Sequence, residues 1–188
     1  RTSEGAQAFL TLADNLAGDH ARQTTLLFLL LPSSPGPTPG ASGSDPLAGL
    51  LHQIAGSDSG ASRLFRLMAG AASTPVGREV VAELVSYLRT NTQARNDFIL
   101  GMASGMQNPA GSESLRNLTL EMNRTPDSRD AVLRTLAQAT TSEAGRDCLT
   151  TFLKALSANP EVRDPMLLLL NSAVTGDRHR KTVSLLVQ

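Results

Sequence analysis

The chain has 188 residues, of which 40% are hydrophobic, and its 17 basic and 17 acidic residues give a net charge of zero. This length fits one domain with its own core, and neutrality argues against a general nucleic-acid or membrane-surface binder. The single cysteine excludes an internal disulfide framework and a cysteine-built metal site.

The N-terminal segment, residues 1–31, is predicted to form a helical hairpin. Thr2 and Asp19 stand 17 residues apart, and both are residue types that cap helices. The longest apolar run, Leu26–Leu31, is far shorter than the roughly 18 residues that suggest a membrane span, so no membrane insertion is expected.

A segment rich in proline, glycine and serine follows, with the sequence PSSPGPTPGASGSD over residues 32–45. This composition cannot bury enough apolar surface to order itself, so it predicts a flexible loop. The short apolar stretch after it predicts a helix over residues 46–56. We interpret residues 1–188 as one helical-repeat domain, and the alternative is a separate N-terminal hairpin that the loop tethers.

Residues 57–188 are predicted to be regular repeats, because this part of the chain divides into units of 17 residues without a gap. The units open at Ser57, Thr74, Asn91, Asn108, Thr125, Ser142, Asn159 and Gly176. Ser, Thr and Asn side chains accept hydrogen bonds from the unpaired N–H groups at the start of a helix. Proline follows four of these caps, at the first helical position, where its missing N–H costs nothing. Each unit is therefore expected to begin a helix.

The interior of each unit carries one apolar stripe, at the positions seven, eleven and fourteen residues after the cap. After Thr74, for example, these positions hold Val81, Val85 and Leu88. This spacing is typical of an amphipathic helix, and no strand alternation occurs. The sequence therefore predicts an all-α fold, an α-solenoid of about eleven short antiparallel helices with a 17-residue single-helix period. Two consecutive helices would form a hairpin unit of 34 residues.

The helical pairs, the capping residues and recurrent neighbours such as Arg129–Asp130 and Arg146–Asp147 extend over nearly the whole chain. In these features the chain resembles the broad class of HEAT and armadillo α-solenoids, and no specific family within it. Tetratricopeptide and ankyrin signatures are missing, and the period is shorter than the roughly 40–47 residues of HEAT and armadillo units. The resemblance implies a scaffold that binds a protein or peptide.

Arginine recurs four residues after the cap. The six arginines at this position are Arg78, Arg95, Arg129, Arg146, Arg163 and Arg180. An arginine in the first turn opposes the helix dipole, so another group must hold it there. A structural ladder is the favoured interpretation, in which the guanidinium groups bind free carbonyl groups at the ends of neighbouring helices. The alternative is an exposed ladder that recognises an acidic or phosphorylated partner.

The sequence GMASG places Gly101 and Gly105 where other units have larger apolar residues. With Met102, Met106 and Met122, these glycines are our candidate partner-binding residues, because they could form a shallow apolar groove in which a partner helix docks. The structural alternative is a close approach of a neighbouring backbone.

No pattern typical of catalysis or of cofactor binding was found. His20, His52 and His179 are far apart, no His/Asp/Glu set has metal-ligand spacing on one helix, and Cys148 lies beside a core position. We therefore expect neither a metal, a cofactor nor an enzymatic activity. The basic cluster at residues 178–181 has no aromatic neighbours and is a weak nucleic-acid signal.

The function that these patterns favour is a non-enzymatic, intracellular and cytoplasmic scaffold for protein–protein interaction, through a concave face or the mid-array groove. The alternative is a self-associating structural module of a larger polypeptide. The last unit ends on the apolar residues Val183, Leu185, Leu186 and Val187, so a homo-oligomer through this helix is the expected form of that alternative. An enzyme or nucleic-acid binder on the same scaffold is the least favoured interpretation.

Overall fold

A computed structural model describes residues 2–31, 46–55 and 57–174, and over these ranges the backbone forms ten α-helices and no strand. The helices are α1 Thr2–Asn15, α2 His20–Phe28, α3 Pro46–Ala55, α4 Asp58–Ala72, α5 Pro75–Leu88, α6 Thr92–Gly105, α7 Pro109–Met122, α8 Pro126–Ala139, α9 Glu143–Ala158 and α10 Pro160–Val174. The prediction of an all-α fold is confirmed. The loop at residues 32–45, the helix expected after Gly176 and Arg180 lie outside the described residues.

Local capping explains where the helices begin. The side chains of Ser57, Thr74, Asn91, Asn108, Thr125 and Ser142 each accept a hydrogen bond from the backbone N–H three residues later. Proline occupies the first turn of α5, α7 and α8. Successive helices from α4 to α10 consequently start 17 residues apart, from Asp58 to Pro160.

Packing of the helices follows a period of three. From α3 onward, each helix packs most extensively against the helix three positions away in the chain. The helices therefore form three stacks: α1, α4, α7 and α10; α2, α5 and α8; and α3, α6 and α9. Consecutive helices touch much less, so the prediction of two-helix hairpin units is wrong. The prediction of an N-terminal hairpin is also wrong. Helix α1 packs on α3 and α4, and α2 packs on α4 and α5, rather than on each other.

Side-chain hydrogen bonds show that stacked helices run parallel. Asn108 at the start of α7 donates from Nδ2 to Oγ of Ser62 near the start of α4, at 2.9 Å. Asn159 at the start of α10 donates in the same way to Oγ of Ser112 near the start of α7, at 2.6 Å. Because starts lie beside starts, the chain returns to the same orientation after every third helix.

Glycine at the third position after a cap makes the corners between consecutive helices tight. A Cβ at Gly77 would overlap the carbonyl oxygen of Ala71, and a Cβ at Gly111 would overlap that of Gly105. The first turn of α5 or α7 thus crosses directly over the last turn of the preceding helix. At these two corners the helices cross closely at their ends, whereas each packs more extensively on the helix three positions away.

Candidate functional site

An open groove of about 1090 Å³ lies along α4 and α7, with the corner between α1 and α2 as one wall. Each helix, with the turn that follows it, lines the groove at the same seven positions, which lie 2, 5, 6, 9, 12, 13 and 16 residues after the caps Ser57 and Asn108. This equivalence follows from the parallel, in-register stacking of α4 and α7. The groove is therefore a product of the three-helix packing period.

Small side chains give the groove its depth. Ser59, Ala69 and Gly70 of α4, together with Ala17 and Gly18 at the α1–α2 corner, leave the floor and one wall with little side-chain bulk. Because several of these residues are apolar and others carry hydroxyl groups, the surface offers both van der Waals contact and hydrogen bonds. An elongated segment of another chain would find both kinds of contact here.

Two carboxylates in the groove are each shared by two arginines. Asp14 Oδ2 lies 2.5 Å from Nη2 of Arg63, and Asp14 Oδ1 contacts Nη2 of Arg66. On α7, Glu121 pairs with Arg78 and with Arg124, at 3.1 Å in each case. Each cluster holds two positive charges and one negative charge, so each keeps a net charge of plus one.

The floor of the groove also contains a buried amide. Gln23 is only 3% exposed, and its carboxamide lies against Gly70, where a Cβ would overlap it. Its Oε1 is 3.3 Å from Nδ1 of His20, which lines the same groove. The missing side chain at position 70 thus makes room for a polar group at the bottom of the groove.

The residues that the sequence suggested as a docking groove lie in the core instead. Gly101 and Gly105 are buried, and Met102, Met106 and Met122 are 5%, 7% and 2% exposed. A Cβ at Gly105 would lie 3.2 Å from the ring of Phe65 and 3.4 Å from a methyl group of Leu115. The prediction of an exposed groove at these residues is wrong, because the glycine is used for close packing of α4 and α7 against α6.

Four arginines of the predicted ladder bind backbone carbonyl groups near the end of the preceding helix. Their Nη1 atoms donate to the carbonyl oxygens six residues earlier, in the pairs Arg78–Ala72, Arg95–Arg89, Arg129–Asn123 and Arg146–Thr140, at 3.0–3.2 Å. Arg163 instead contacts the adjacent Asp164, at 3.1 Å. The four bonds connect consecutive helices at their corners, and at two of these corners glycine, Gly77 or Gly145, also brings the backbones together.

A buried polar cluster on α6 was not found from the sequence. Asp97 is 6% exposed, and it accepts from Nε2 of Gln93 at 3.0 Å and contacts Nδ1 of His52 at 3.3 Å. Burial lowers the pKa of the Arg95 guanidinium, and burial together with the charge of Asp97 raises the pKa of the Cys148 thiol. Cys148 is therefore a neutral thiol near pH 7, which makes it a poor nucleophile.

The signal for this cluster was the unbroken polar run from Arg95 to Asp97, because the position of Asp97 holds an apolar residue in α5, α8 and α9, namely Val80, Ala131 and Cys148. Because α6 packs between α3 and α9, the polar residues Arg95, Asn96 and Asp97 are buried. In the part of the chain that the structure describes, no group of three or more His, Cys, Asp or Glu side chains could hold a metal ion. Over the same part, no helix is long and apolar enough to cross a membrane.

The fold and the groove thus define an all-α protein with an open, charge-balanced groove on one stack of helices. Comparison with known proteins adds no family to this description: no protein-family model, no curated protein and no solved structure matches the chain. The arguments about function therefore rest on the geometry of this chain.

Proposed function

We propose that this chain is a non-enzymatic helical-repeat scaffold, which binds another protein or a peptide through the groove along α4 and α7. In this proposal the chain is an α-solenoid built from units of three helices. The helices α4, α7 and α10 begin at Asp58, Pro109 and Pro160, which are 51 residues apart, and they stack in parallel. HEAT repeats have two helices and armadillo repeats have three, so a unit of three helices supports a resemblance to armadillo proteins.

The groove is the observation that carries the proposal. It is long enough to follow two helices from cap to last turn, and it combines small side chains with hydroxyl, amide and guanidinium groups. Binding grooves for peptides typically join apolar contact area to a small number of fixed polar groups. The arginines at the helix corners then have a structural role, since one guanidinium nitrogen of each donates to a backbone carbonyl group.

A cytoplasmic location belongs to the same proposal. The single cysteine can form no disulfide within the chain, and Cys148 is buried. A buried thiol without a partner is compatible with the reducing interior of a cell.

A pair of matched variants tests the groove as a binding surface. Ala110 lies in the groove two residues after the cap of α7, and Ala144 lies two residues after the cap of α9, outside the groove. Both are exposed, so phenylalanine at either position is expected to leave the fold intact. We expect a phage-displayed random peptide library selected on the native protein to yield peptides that bind Ala144→Phe equally well and Ala110→Phe at least about tenfold more weakly.

Two outcomes would contradict the proposal. The first is a selection that returns no peptide with saturable binding to the native protein. The second is equal weakening by both phenylalanine variants, which would indicate that the peptides bind elsewhere or that the substitution acts through hydrophobicity alone.

Self-association is the second candidate, and it is favoured by exposed leucines on α9 and α10, the last two helices of the described residues. Leu167 and Leu168 of α10 are 51% and 53% exposed, and Leu153 of α9 is 55% exposed. Clustered exposed leucines are typical of an interface between protein chains. We expect light scattering to detect a concentration-dependent rise in mass that Leu167→Asn with Leu168→Asn abolishes; a constant monomer mass would refute this candidate.

A further inference from the structure

We propose that the chain forms a two-fold symmetric dimer in which α10 packs antiparallel on α10 of a second copy, with the symmetry axis between Leu167 and Leu168. This inference rests on self-association, the second candidate under the proposed function, because it specifies the partner and the geometry of the contact. It is derived from the exposed stripe on α10, from the equivalent positions of α7 and α9, and from the distribution of charge along α10.

The exposed face of α10 is one stripe of residues that lie three or four positions apart. On the opposite side of the helix, Val162, Met166 and Leu169 are at most 3% exposed and belong to the buried core. The exposed stripe carries Asp164, Leu167, Leu168 and Asn171. Residues at such spacings share one helix face, through which two helices can pack lengthwise.

Two leucines on this stripe stand where other helices expose polar side chains. Leu167 and Leu168 lie eight and nine residues after the cap Asn159. The same two positions are also exposed in α7 and α9, where they hold Arg116 and Asn117, and Thr150 and Thr151. Both threonines donate to carbonyl groups of their own helix, so this face of α9 is compatible with water. The leucines, 51% and 53% exposed, indicate that another surface covers α10.

The charges of α10 favour an antiparallel second copy as that surface. Residues 160–164 include Glu161, Arg163 and Asp164, with a net charge of minus one, whereas residues 165–174 carry no charge. In an antiparallel pair, Asp164 of one copy lies opposite Asn171 of the other, because both residues are equally far from the axis. The two Asp164 carboxylates are then about 10 Å apart along the helix. In a parallel pair they would face each other and repel.

The interface of this dimer is small. Its apolar area comes from Leu167 and Leu168 of both copies, with Leu153 of the adjoining helix α9, which is 55% exposed. Interfaces at the low end of the size range belong to transient complexes. We therefore expect a reversible dimer with a Kd of about 10–1,000 µM.

Disulfide cross-linking tests the position of the axis and the direction of the helices. Leu168→Cys alone should form a covalent dimer in a glutathione redox buffer, because a residue beside a two-fold axis meets its own copy. Asp164→Cys mixed with Asn171→Cys should cross-link at least about tenfold faster than either variant alone, since only the mixed pair is brought together. The native chain is the control, because its Cys148 is buried and should form no covalent dimer.

Leucine variants test the apolar contact by sedimentation equilibrium. Leu167→Asn with Leu168→Asn should weaken dimerisation at least about tenfold. Leu12→Asn is the matched control, at a leucine of α1 that is 47% exposed, and it should leave dimerisation unchanged. Equal weakening by Leu12→Asn would indicate a head-to-tail contact and overturn the inference. Rapid cross-linking of Asp164→Cys with itself would also overturn it, and so would no cross-link at residue 168.

These results distinguish the inference from the proposed function. A constant monomer mass in light scattering would refute self-association and this dimer together. A mass that rises with concentration, with cross-links that contradict the antiparallel pair, would refute the dimer geometry and leave self-association in place. The peptide selection tests the groove along α4 and α7 independently of both results.

Discussion

The contact between α5 and α8 gives a direct test of the three-helix stacking, through the buried hydroxyl of Thr135. Thr135 is 2% exposed, and its Oγ1 donates to the carbonyl oxygen of Val85 at 2.8 Å. In a regular helix that carbonyl would accept from the N–H of Arg89, but this N–H bonds to Ser86 and Tyr87 instead. The hydroxyl of Thr135 therefore supplies the donor that the last turn of α5 lacks.

Thr135→Val keeps the volume of the side chain and removes this donor, so the buried carbonyl of Val85 loses its hydrogen bond. The expected loss in the free energy of unfolding is about 1–3 kcal/mol, the cost of an unsatisfied buried polar group. Urea denaturation followed by circular dichroism at 222 nm measures this loss from the shift of the midpoint and the slope.

Thr119→Val is the matched control. Thr119 is 5% exposed, and its hydroxyl also donates to a carbonyl at 2.8 Å, but the acceptor is Leu115 of the same helix. That carbonyl keeps the helical N–H of residue 119 after the substitution, so the change in stability should be close to zero or favourable. Equal destabilisation by both valine variants, or a larger effect at Thr119, would refute the role assigned to the α5–α8 contact.

Two further predictions concern the corner glycines and the buried thiol. Gly77→Ala should lower the free energy of unfolding by about 1–3 kcal/mol because its Cβ overlaps the carbonyl of Ala71, whereas Gly5→Ala in α1, where no atom lies within 4 Å, should raise it by about 0.5–1 kcal/mol. Because burial raises the pKa of Cys148, the unfolded chain loses this proton first as the pH rises. Stability should fall above about pH 8.5, and Cys148→Ala should remove this part of the fall in a urea series at several pH values.

The positions of the helices were determined by the sequence. Thr74 with Pro75 and Asn108 with Pro109 mark helix starts that the structure has at those places, because capping joins a side chain to a backbone N–H only three residues away. The energy of such a capping hydrogen bond depends on one short segment and not on which other helices pack against it. The all-α class could be predicted for the same reason.

Which helices pack against each other was decided by the tertiary structure. A connection of three or four residues fixes where the next helix begins, while its crossing angle depends on how closely two backbones can approach, as at Gly77 and Ala71. The apolar stripe likewise predicts that one face of each helix is buried, but it does not identify the helix that covers this face. Packing at every third helix consequently could not be derived from the 17-residue spacing.

The groove also belongs to the tertiary structure alone. Its lining positions hold small or polar residues such as Ser62 and Asn117, and equivalent positions in other units hold similar residues. Met102 and Gly105, in contrast, were predicted to be exposed and are buried. The sequence could not distinguish the two cases, because an apolar residue on a helix is compatible with a core or an exposed face. The stacking of α4 on α7 beside the α1–α2 corner decides which residues line an exposed groove and which lie in the core, because exposure depends on what the neighbouring helices cover.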